Sequence, residues 1–431
     1  MTRTATLDLK TAALEASPAS ASPTVKTMAP LIQRQITEDE ICVLTFDRPD
    51  SSANLFDRAT LVELNEQLAV ISRETRLKGL ILTSAKKSIF IAGADIHAMA
   101  SGVNPEDMRE LIQLGQSVFN RLASLSIPTV AAIHGACLGG GFEVCLACDY
   151  RIASPDRATK IGLPEVQLGI LPAWGGSTRL PRLIGLPKAL DIILAGKTLA
   201  AKPAFKAGMV DELVPREYLL DVARKRILSQ GLKLRQRKSR LMATATNNAL
   251  VAALLRKRLH AQILKETRGH YPAVLKALDV VTRGISRPVE ESLALELNGV
   301  LELAQTEVCH NLIRVFFLQE RAKKLPGTTG LSEIGRKEAA PAIERLAVIG
   351  AGVMGAGIAQ WSSSRDVSVI LRDINAEQVG KGMASIGQLY AQALKRHAFT
   401  KVEARAGLDR IFPATTEVPL ANVDLVIEAA V

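Results

Sequence analysis

Aromatic side chains are scarce in this sequence, and long apolar runs are missing. Phe, Trp and Tyr make up 4% of the 431 residues, too few for the stacking platforms of a single-strand nucleic-acid binder. No uninterrupted apolar run reaches the roughly 18 residues of a membrane-spanning helix. The remainder, 48% hydrophobic and 23% charged, is typical of a globular protein. We therefore expect no nucleic-acid partner and no transmembrane segment, and the length allows two or three domains.

Cysteine is also infrequent. The sequence has five, of which Cys145 and Cys148 have the spacing of a metal-binding pair. Neither a second pair nor a histidine at a matching distance accompanies them. Both fall where we predict a helix, in which a small apolar side chain packs well. We predict core cysteines, no metal site and a reducing, cytoplasmic location.

Acidic residues are outnumbered, and the net charge is +11. Much of the excess lies in two basic runs, which contain Lys233, Arg235, Arg237, Lys238, Arg240, Arg256, Lys257 and Arg258. On helices such residues form a solvated face, or they attract an anionic substrate such as a nucleotide-carrying thioester. An anionic membrane surface is a weaker alternative. Asp8 and Glu15 argue against a cleaved organelle presequence at the start of the chain.

Strand-like and helical segments alternate through the first half of the chain, which predicts an α/β fold. We predict strands over 41–47, 77–82, 90–95, 129–133 and 150–153, and helices over 61–72 and 111–125. The pattern from about 184 to 325 is nearly all helical, with one long helix over 300–324. The predicted organisation is a disordered tail (1–30), an α/β domain (31–220), a helical connector (221–325), a linker (326–341) and a partial Rossmann domain (342–431).

A glycine-rich turn opens the last of these domains. A strand over 346–349 leads into Gly350, Gly352 and Gly355, a helix follows, and Asp373 ends the next strand about 20 residues beyond Gly352. This context predicts a dinucleotide site formed by the three glycines, Met354 and Asp373. Because Asp373 would accept hydrogen bonds from ribose hydroxyls, we expect NAD rather than NADP. We predict three strands here, over 346–349, 367–371 and 423–431.

Two glutamates stand in a setting that suits proton transfer. Glu143 follows three consecutive glycines behind the apolar run 129–133, and Glu165 follows a second strand-like stretch, 150–153. A strand, a glycine turn and a helix leave unpaired backbone N–H groups, which suit an oxyanion. Two carboxylates beside such donors can move protons next to a stabilised enolate.

On these motifs the sequence resembles the α subunit of the multifunctional fatty-acid β-oxidation enzymes. That family fuses an enoyl-CoA hydratase of the crotonase superfamily to an NAD-dependent 3-hydroxyacyl-CoA dehydrogenase. Segments 133–143, 161–172 and 175–180 match the crotonase signature, 265–276 resembles the connector of the fused enzymes, and 350–360 resembles the dehydrogenase cofactor loop. The resemblance implies a crotonase-like β-β-α spiral domain, a helical connector and a partial Rossmann domain that binds NAD.

The resemblance also implies a site. The N–H groups of Ala94 and Gly140 would hold the thioester oxygen, and Glu143 and Glu165 would exchange protons with a water molecule. Coenzyme A would lie along the same turn, with substrate contacts from residues near Asp57 and from Gly93, Asp95, Gly139 and Gly141. His97 is better interpreted as a loop or helix-start residue than as a catalytic one. Family members are trimeric or pseudo-trimeric and assemble with a separate thiolase subunit, so we expect an oligomer.

Three departures from the family pattern stand out. Trp174 occupies a position where a smaller residue is common, which would narrow the acyl pocket. The glycine that usually precedes the second Rossmann strand is absent from segment 364–367, which would alter that turn. The dehydrogenase His and Glu of the family lie beyond the last strand here, so we expect no dehydrogenase activity from this chain alone. Enoyl-CoA isomerisation, thioester hydrolysis, or a non-catalytic half that docks a chain supplying the rest of the dehydrogenase stay open as alternatives.

Overall fold

The computed structural model describes residues 29–49, 51–97, 104–229, 246–324, 342–396 and 398–430. The chain divides into two compact units, Met1–Lys323 and Lys324–Val431. The predicted linker, nearly all of the predicted tail, the first basic run and Val431 lie outside the described residues. In the part of the chain that is described, no helix is long and apolar enough to cross a membrane.

A large, mostly parallel sheet forms the centre of the first unit. Its strands within the described residues are β1 (Ile32–Ile36), β2 (Ile41–Phe46), β3 (Gly79–Ser84), β5 (Thr129–Ile133), β7 (Tyr150–Ala153) and β10 (Glu212–Leu213). They lie in the order β1-β2-β3-β5-β7-β10, and β1 alone runs antiparallel to its neighbour. The alternating side chains of β2, β3 and β5 enter two different cores, so the sheet is buried on both faces.

A smaller sheet contains the strands that follow β3, β5 and β7 in the chain. Its order among the described residues is β4-β6-β8-β9, with strands β4 (Ile89–Ile91), β6 (Ala136–Leu138), β8 (Lys160–Gly162) and β9 (Thr198–Ala200). The chain gives one strand to the large sheet, one to the small sheet and then a helical segment, three times in succession. This is the β-β-α spiral expected from the sequence, and it brings the ends of β4, β6 and β8 side by side.

Helices cover both sheets of the first unit. They are α1 (Arg58–Ile71), α2 (Pro105–Ala123), α3 (Gly140–Ala147), α4 (Gly176–Ile184), α5 (Leu186–Leu194), α6 (Ala201–Ala207), α7 (Leu219–Leu228), α8 (Ala249–Thr267), α9 (Pro272–Gly284), α10 (Val289–Ala304) and α11 (Glu307–Lys324), with short 3-10 helices at Glu165–Leu168 and Arg216–Tyr218. Helix α7 covers one face of the large sheet through Leu219, Ala223 and Ile227. Helices of the predicted connector contribute Ala277, Val281 and Val300 to the main core.

The single long helix predicted over 300–324 is wrong. Helix α10 already begins at Val289 and ends at Ala304, and α11 starts afresh at Glu307. The Thr306 hydroxyl accepts a hydrogen bond from the Cys309 N–H, which caps the new helix. Gly299 lies inside α10, where a Cβ would come within 2.9 Å of the Leu171 side chain, so it marks close packing rather than a helix start.

The elements of the second unit, within the described residues, are β11 (Arg345–Ile349), α12 (Val353–Ser363), β12 (Ser368–Arg372), α13 (Ala376–Lys395), α14 (Lys401–Asp409), β13 (Ile411–Ala414) and β14 (Leu425–Glu428). The four strands form a parallel sheet in the order β13-β12-β11-β14. This confirms the α/β class and the partial Rossmann architecture. The count of three strands was too low, because β13 is short and carries Pro413, which an edge strand tolerates.

The turn before β12 lacks the glycine that the family pattern places there. Asp366 nevertheless takes the left-handed conformation, with φ of 67°, which aspartate tolerates better than most side chains. Its carboxylate pairs with Arg410 at 2.5 Å. The turn therefore keeps a backbone conformation that glycine usually adopts.

The indole of Trp174 fills the first unit's core beside two aromatic rings. Its ring centroid lies 6.0 Å from that of Phe56 and 5.8 Å from that of Phe119, both edge-on. A Cβ at Gly115, in the middle of α2, would lie 2.4 Å from the Trp174 Nε1. Gly115 thus costs helix propensity but makes room for a rigid ring.

We predict that Gly115→Ala destabilises the first unit by about 1–3 kcal/mol through overpacking, although alanine favours a helix by about 1 kcal/mol. The same change in a Trp174→Leu background should be neutral or stabilising, because the ring is gone. Urea unfolding of the four proteins in this double-mutant cycle gives the coupling free energy between residues 115 and 174. An equal loss in both backgrounds would contradict the assignment of the clash to the indole.

Candidate active site

Strand β6 leads into a glycine turn that opens α3. Gly139 has φ of 53°, a left-handed conformation that glycine adopts without strain, and its N–H donates to the Gly162 carbonyl at 2.9 Å. Helix α3 begins at Gly140 and has no side-chain cap. The Gly140 N–H, at the first helical position, finds no acceptor among the described residues.

A second free donor lies across from this turn. Phe56 donates to the Gly93 carbonyl and accepts from the Asp95 N–H, each at 2.9 Å. The Ala94 N–H between them points to the other side, where the described residues offer it no acceptor. A Cβ on Gly141 would meet the Ile91 carbonyl at 2.3 Å, so the glycine turn packs directly on the segment that carries Ala94.

Glu143 lies in the first turn of α3 and is 2% exposed. Its Oε1 accepts hydrogen bonds from the Trp174 N–H at 2.8 Å and the Gly176 N–H at 2.7 Å. Burial raises the pKa of this carboxyl, the two N–H donors lower it, and the result is a pKa of about 7. Glu143 is therefore harder to ionise than an exposed glutamate.

Glu165 opens the 3-10 helix Glu165–Leu168 and reaches the same turn. A Cβ on Gly139 would lie 2.9 Å from its Oε1. Its Oε2 is buried and has no partner among the described residues. Burial, and then the charge of Glu143, raise the pKa of Glu165 well above its usual value. The surroundings favour a neutral Glu165 and allow an ionised Glu143, which is how a paired acid and base arise.

A third buried carboxyl belongs to the site, and sequence reasoning missed it. Glu296 of α10 is fully buried, and its Oε2 accepts from the Gly175 N–H at 2.8 Å. Burial, and then the charge of Glu143, raise the pKa of Glu296 to about 8. The helical period offered a signal, because Glu296 falls between Leu293 and Val300 on the buried face of α10.

Other residues singled out in the sequence have mainly structural partners. The Asp57 carboxylate caps α1 through the Thr60 N–H at 2.8 Å and pairs with Arg48 at 2.7 Å. His97 is exposed, and its Nδ1 lies 2.8 Å from the Asp95 carboxylate. The five cysteines are all free and buried, which confirms the core interpretation.

The glycine loop of the second unit has a different role for each glycine. Gly350 turns with φ of 106° against the Ala429 backbone, and a Cβ on Gly355 would lie 1.8 Å from the Gly350 carbonyl. Nothing lies within 4 Å of a Cβ built on Gly352. The Asp373 carboxylate accepts from the Ala351 N–H at 2.6 Å, which holds it beside the loop. Met354 is 70% exposed at the start of α12. These residues fit the dinucleotide fingerprint, in which the second glycine, here Gly352, lets the backbone approach a pyrophosphate.

Two protein-family models match this chain. The family described as enoyl-CoA hydratase/isomerase matches residues 36–273. The family described as 3-hydroxyacyl-CoA dehydrogenase, NAD binding domain, matches residues 345–431. The solved structure of human mitochondrial delta3-delta2-enoyl-CoA isomerase covers 68% of this chain and 100% of its own length, with a TM-score of 0.50 and 22% identity. That likeness shows the fold alone.

Two curated relatives are each named fatty acid oxidation complex subunit alpha. The protein from Shewanella baltica (strain OS185) is 36% identical over 395 residues, and that from Shewanella sp. (strain MR-4) is 35% identical over 395 residues. The alignments cover 91% of this chain and 55% of each relative, so the chain spans about half the length of the curated relatives it matches. With a family match over more than half of its residues, the chain belongs to the enoyl-CoA hydratase/isomerase family.

Proposed function

We propose that the first unit is an enoyl-CoA hydratase, which adds water across the double bond of a trans-2-enoyl-CoA and gives a 3-hydroxyacyl-CoA. The observation that carries this proposal is the meeting of two free N–H donors with two carboxyls of raised pKa around one glycine turn. Donors of this kind stabilise an enolate oxygen, and each is worth about 10²–10³ in rate.

The thioester oxygen would accept hydrogen bonds from the Ala94 and Gly140 N–H groups, which draws electrons from the β-carbon. Ionised Glu143 takes a proton from water as the water oxygen bonds to the β-carbon. Neutral Glu165 gives its proton to the α-carbon, and the enolate collapses to the saturated thioester. One water molecule is consumed, and proton exchange between the two carboxyls restores the starting state.

Coenzyme A would run along the backbone of Gly93, Asp95, Gly139 and Gly141. Gly93 and Gly139 have positive φ values, 119° and 53°, which glycine adopts without strain. Because glycine has no side chain, the thioester can approach the backbone closely at these positions. The net charge of +11 favours an anionic substrate of this kind.

The second unit would bind NAD through Gly350, Gly352, Met354, Gly355 and Asp373. When bound, NAD supplies a hydride acceptor for a 3-hydroxyacyl group. The two curated relatives support a role in fatty-acid oxidation. A thiolase subunit, further copies of the chain, and a chain that supplies the rest of the dehydrogenase are the partners we propose.

The hydratase proposal is tested by adding short-chain and long-chain trans-2-enoyl-CoA to the purified protein. We expect loss of the conjugated thioester absorbance, with a 3-hydroxyacyl-CoA as product. Glu143→Gln and Glu165→Gln should each lower kcat by about 10²–10⁴-fold, because each removes a proton carrier. Glu110→Gln, on an exposed glutamate paired with Arg58, is the matched control. A product with a shifted double bond would point to an isomerase instead.

The pH dependence follows from the two carboxyls. We expect kcat/KM to rise through a pH of about 7 as Glu143 ionises, since its pKa is raised to about 7. At higher pH it should fall as Glu165 loses its proton, since the pKa of Glu165 is raised well above the usual value. The limbs report the pair rather than single residues. A profile that is flat from pH 6 to 8 would count against proton transfer by these groups.

NAD binding is tested at Gly352. Because a Cβ there meets nothing within 4 Å, Gly352→Val should fold normally and yet block the pyrophosphate. We expect calorimetric titration with NADH to show binding by the wild type and a loss of at least about tenfold in the variant. Gly357→Ala is the matched control, because its Cβ also meets nothing within 4 Å but lies within α12. Equal affinity in all three proteins would refute the assignment.

A further inference from the structure

The turn formed by residues 174–176 is held by two carboxyls. Glu143 accepts from the Trp174 and Gly176 N–H groups, and Glu296 accepts from the Gly175 N–H between them. Three successive backbone donors are thus divided between a glutamate of α3 and a glutamate of α10. Glu296 lies beyond residue 273, where the family match ends.

Further hydrogen bonds connect helix α10 to the residues around this turn. The Gln116 amide donates to both the Ala173 and Leu293 carbonyls, at 2.8 and 3.0 Å. The Thr178 hydroxyl donates to the Ser292 hydroxyl at 2.9 Å. A contact network this dense fixes the helix, and with it the Glu296 carboxyl, relative to the turn.

Glu296 cannot be explained as an ordinary packing residue. Its side chain is fully buried, and its Oε1 has no partner among the described residues. Burial of a carboxyl with an unpaired oxygen is costly. The buried Gly175 N–H needs an acceptor, and Glu296 supplies it, so the carboxyl has a specific partner in the turn.

We propose that Glu296 is a positioning residue of the hydratase site, which holds the 174–176 turn so that the Trp174 and Gly176 N–H groups converge on Glu143. This inference rests on the proposed hydratase function. With Oε1 of Glu143 fixed by both donors, the other carboxylate oxygen is left to face the reacting water. Glu296 acts through the turn and touches no substrate.

Glu296 also contributes to the charge of the site. Above its own pKa of about 8, Glu296 is negatively charged and raises the pKa of Glu165. Helix α9 carries Lys276, but the Lys276 ammonium pairs with Glu302 and not with Glu296. Helix α2 carries Gln116, whose side-chain amide is neutral. The charged groups that interact with Glu296 are Glu143, Glu165, Arg179 and Arg182.

The test compares wild type, Glu296→Ala, Glu296→Gln and Glu302→Gln. Glu302 lies on the same helix and is exposed, so it is the matched control. We expect Glu296→Ala to lower kcat by about 10²-fold, as misplacement of a catalytic group does, with little change in KM. Glu296→Gln keeps an acceptor for Gly175 and should keep most of kcat. Its alkaline limb should move to lower pH, because Glu165 loses a neighbouring negative charge.

Amide hydrogen exchange at residues 174–176 gives a readout that does not need activity. We expect faster exchange in Glu296→Ala and wild-type exchange in Glu302→Gln. Wild-type kcat in Glu296→Ala, or faster exchange without loss of kcat, would overturn the proposal. If Glu296→Ala does not fold, Glu296→Gln decides: wild-type exchange at residues 174–176 together with a loss of kcat of about 10²-fold would overturn the proposal, because the turn would then be held without sustaining activity. If wild type hydrates no enoyl-CoA, the hydratase proposal fails, and exchange alone decides whether Glu296 holds the turn.

Discussion

Glu143 places a carboxyl group inside an apolar core, and the architecture of the first unit follows from what this requires. A buried carboxylate is strongly unfavourable unless hydrogen bonds replace its water. Two backbone N–H groups do so, and both come from a turn 31 and 33 residues further along the chain. The spiral of strands, the short helix α3 and the start of α4 must therefore meet at one point. The same burial that makes Glu143 costly raises its pKa to about 7, where it can exchange protons.

The glycines around the site follow from the same constraint. A Cβ on Gly176 would lie 2.9 Å from the Glu143 Oε1, and one on Gly140 would lie 2.6 Å from the Trp174 ring. These positions are glycine because a carboxylate and an indole lie against the backbone. The glycines of the family motif are thus required by close packing. Trp174 adds to this packing, because its ring lies against the start of α3, where the free Gly140 N–H is found.

Short-range patterns explain why much of the fold and site could be predicted. The glycine turn, the flanking strands and the first-turn glutamate are encoded within a few residues of each other, so the sequence located Glu143 and the Gly350 loop. Glu296 was missed because its partner Gly175 lies 121 residues away, and a glutamate in a helix usually faces solvent. The break before α11 was missed because one threonine cap outweighed a continuous apolar period. The left-handed backbone of Asp366 was not predicted, because this conformation is uncommon for residues other than glycine.

Both units use a strand, a glycine turn and a helix start, but they place different acids beside it. In the second unit Asp373 is half-buried and bonded to the Ala351 N–H at the edge of the loop. A carboxyl group at the edge of the loop suits recognition of hydroxyl groups. In the first unit Glu143, Glu165 and Glu296 all have raised pKa values because burial penalises their charge. The same backbone device, a helix start reached through a glycine turn, therefore lies beside a half-buried acid in the second unit and beside acids of raised pKa in the first.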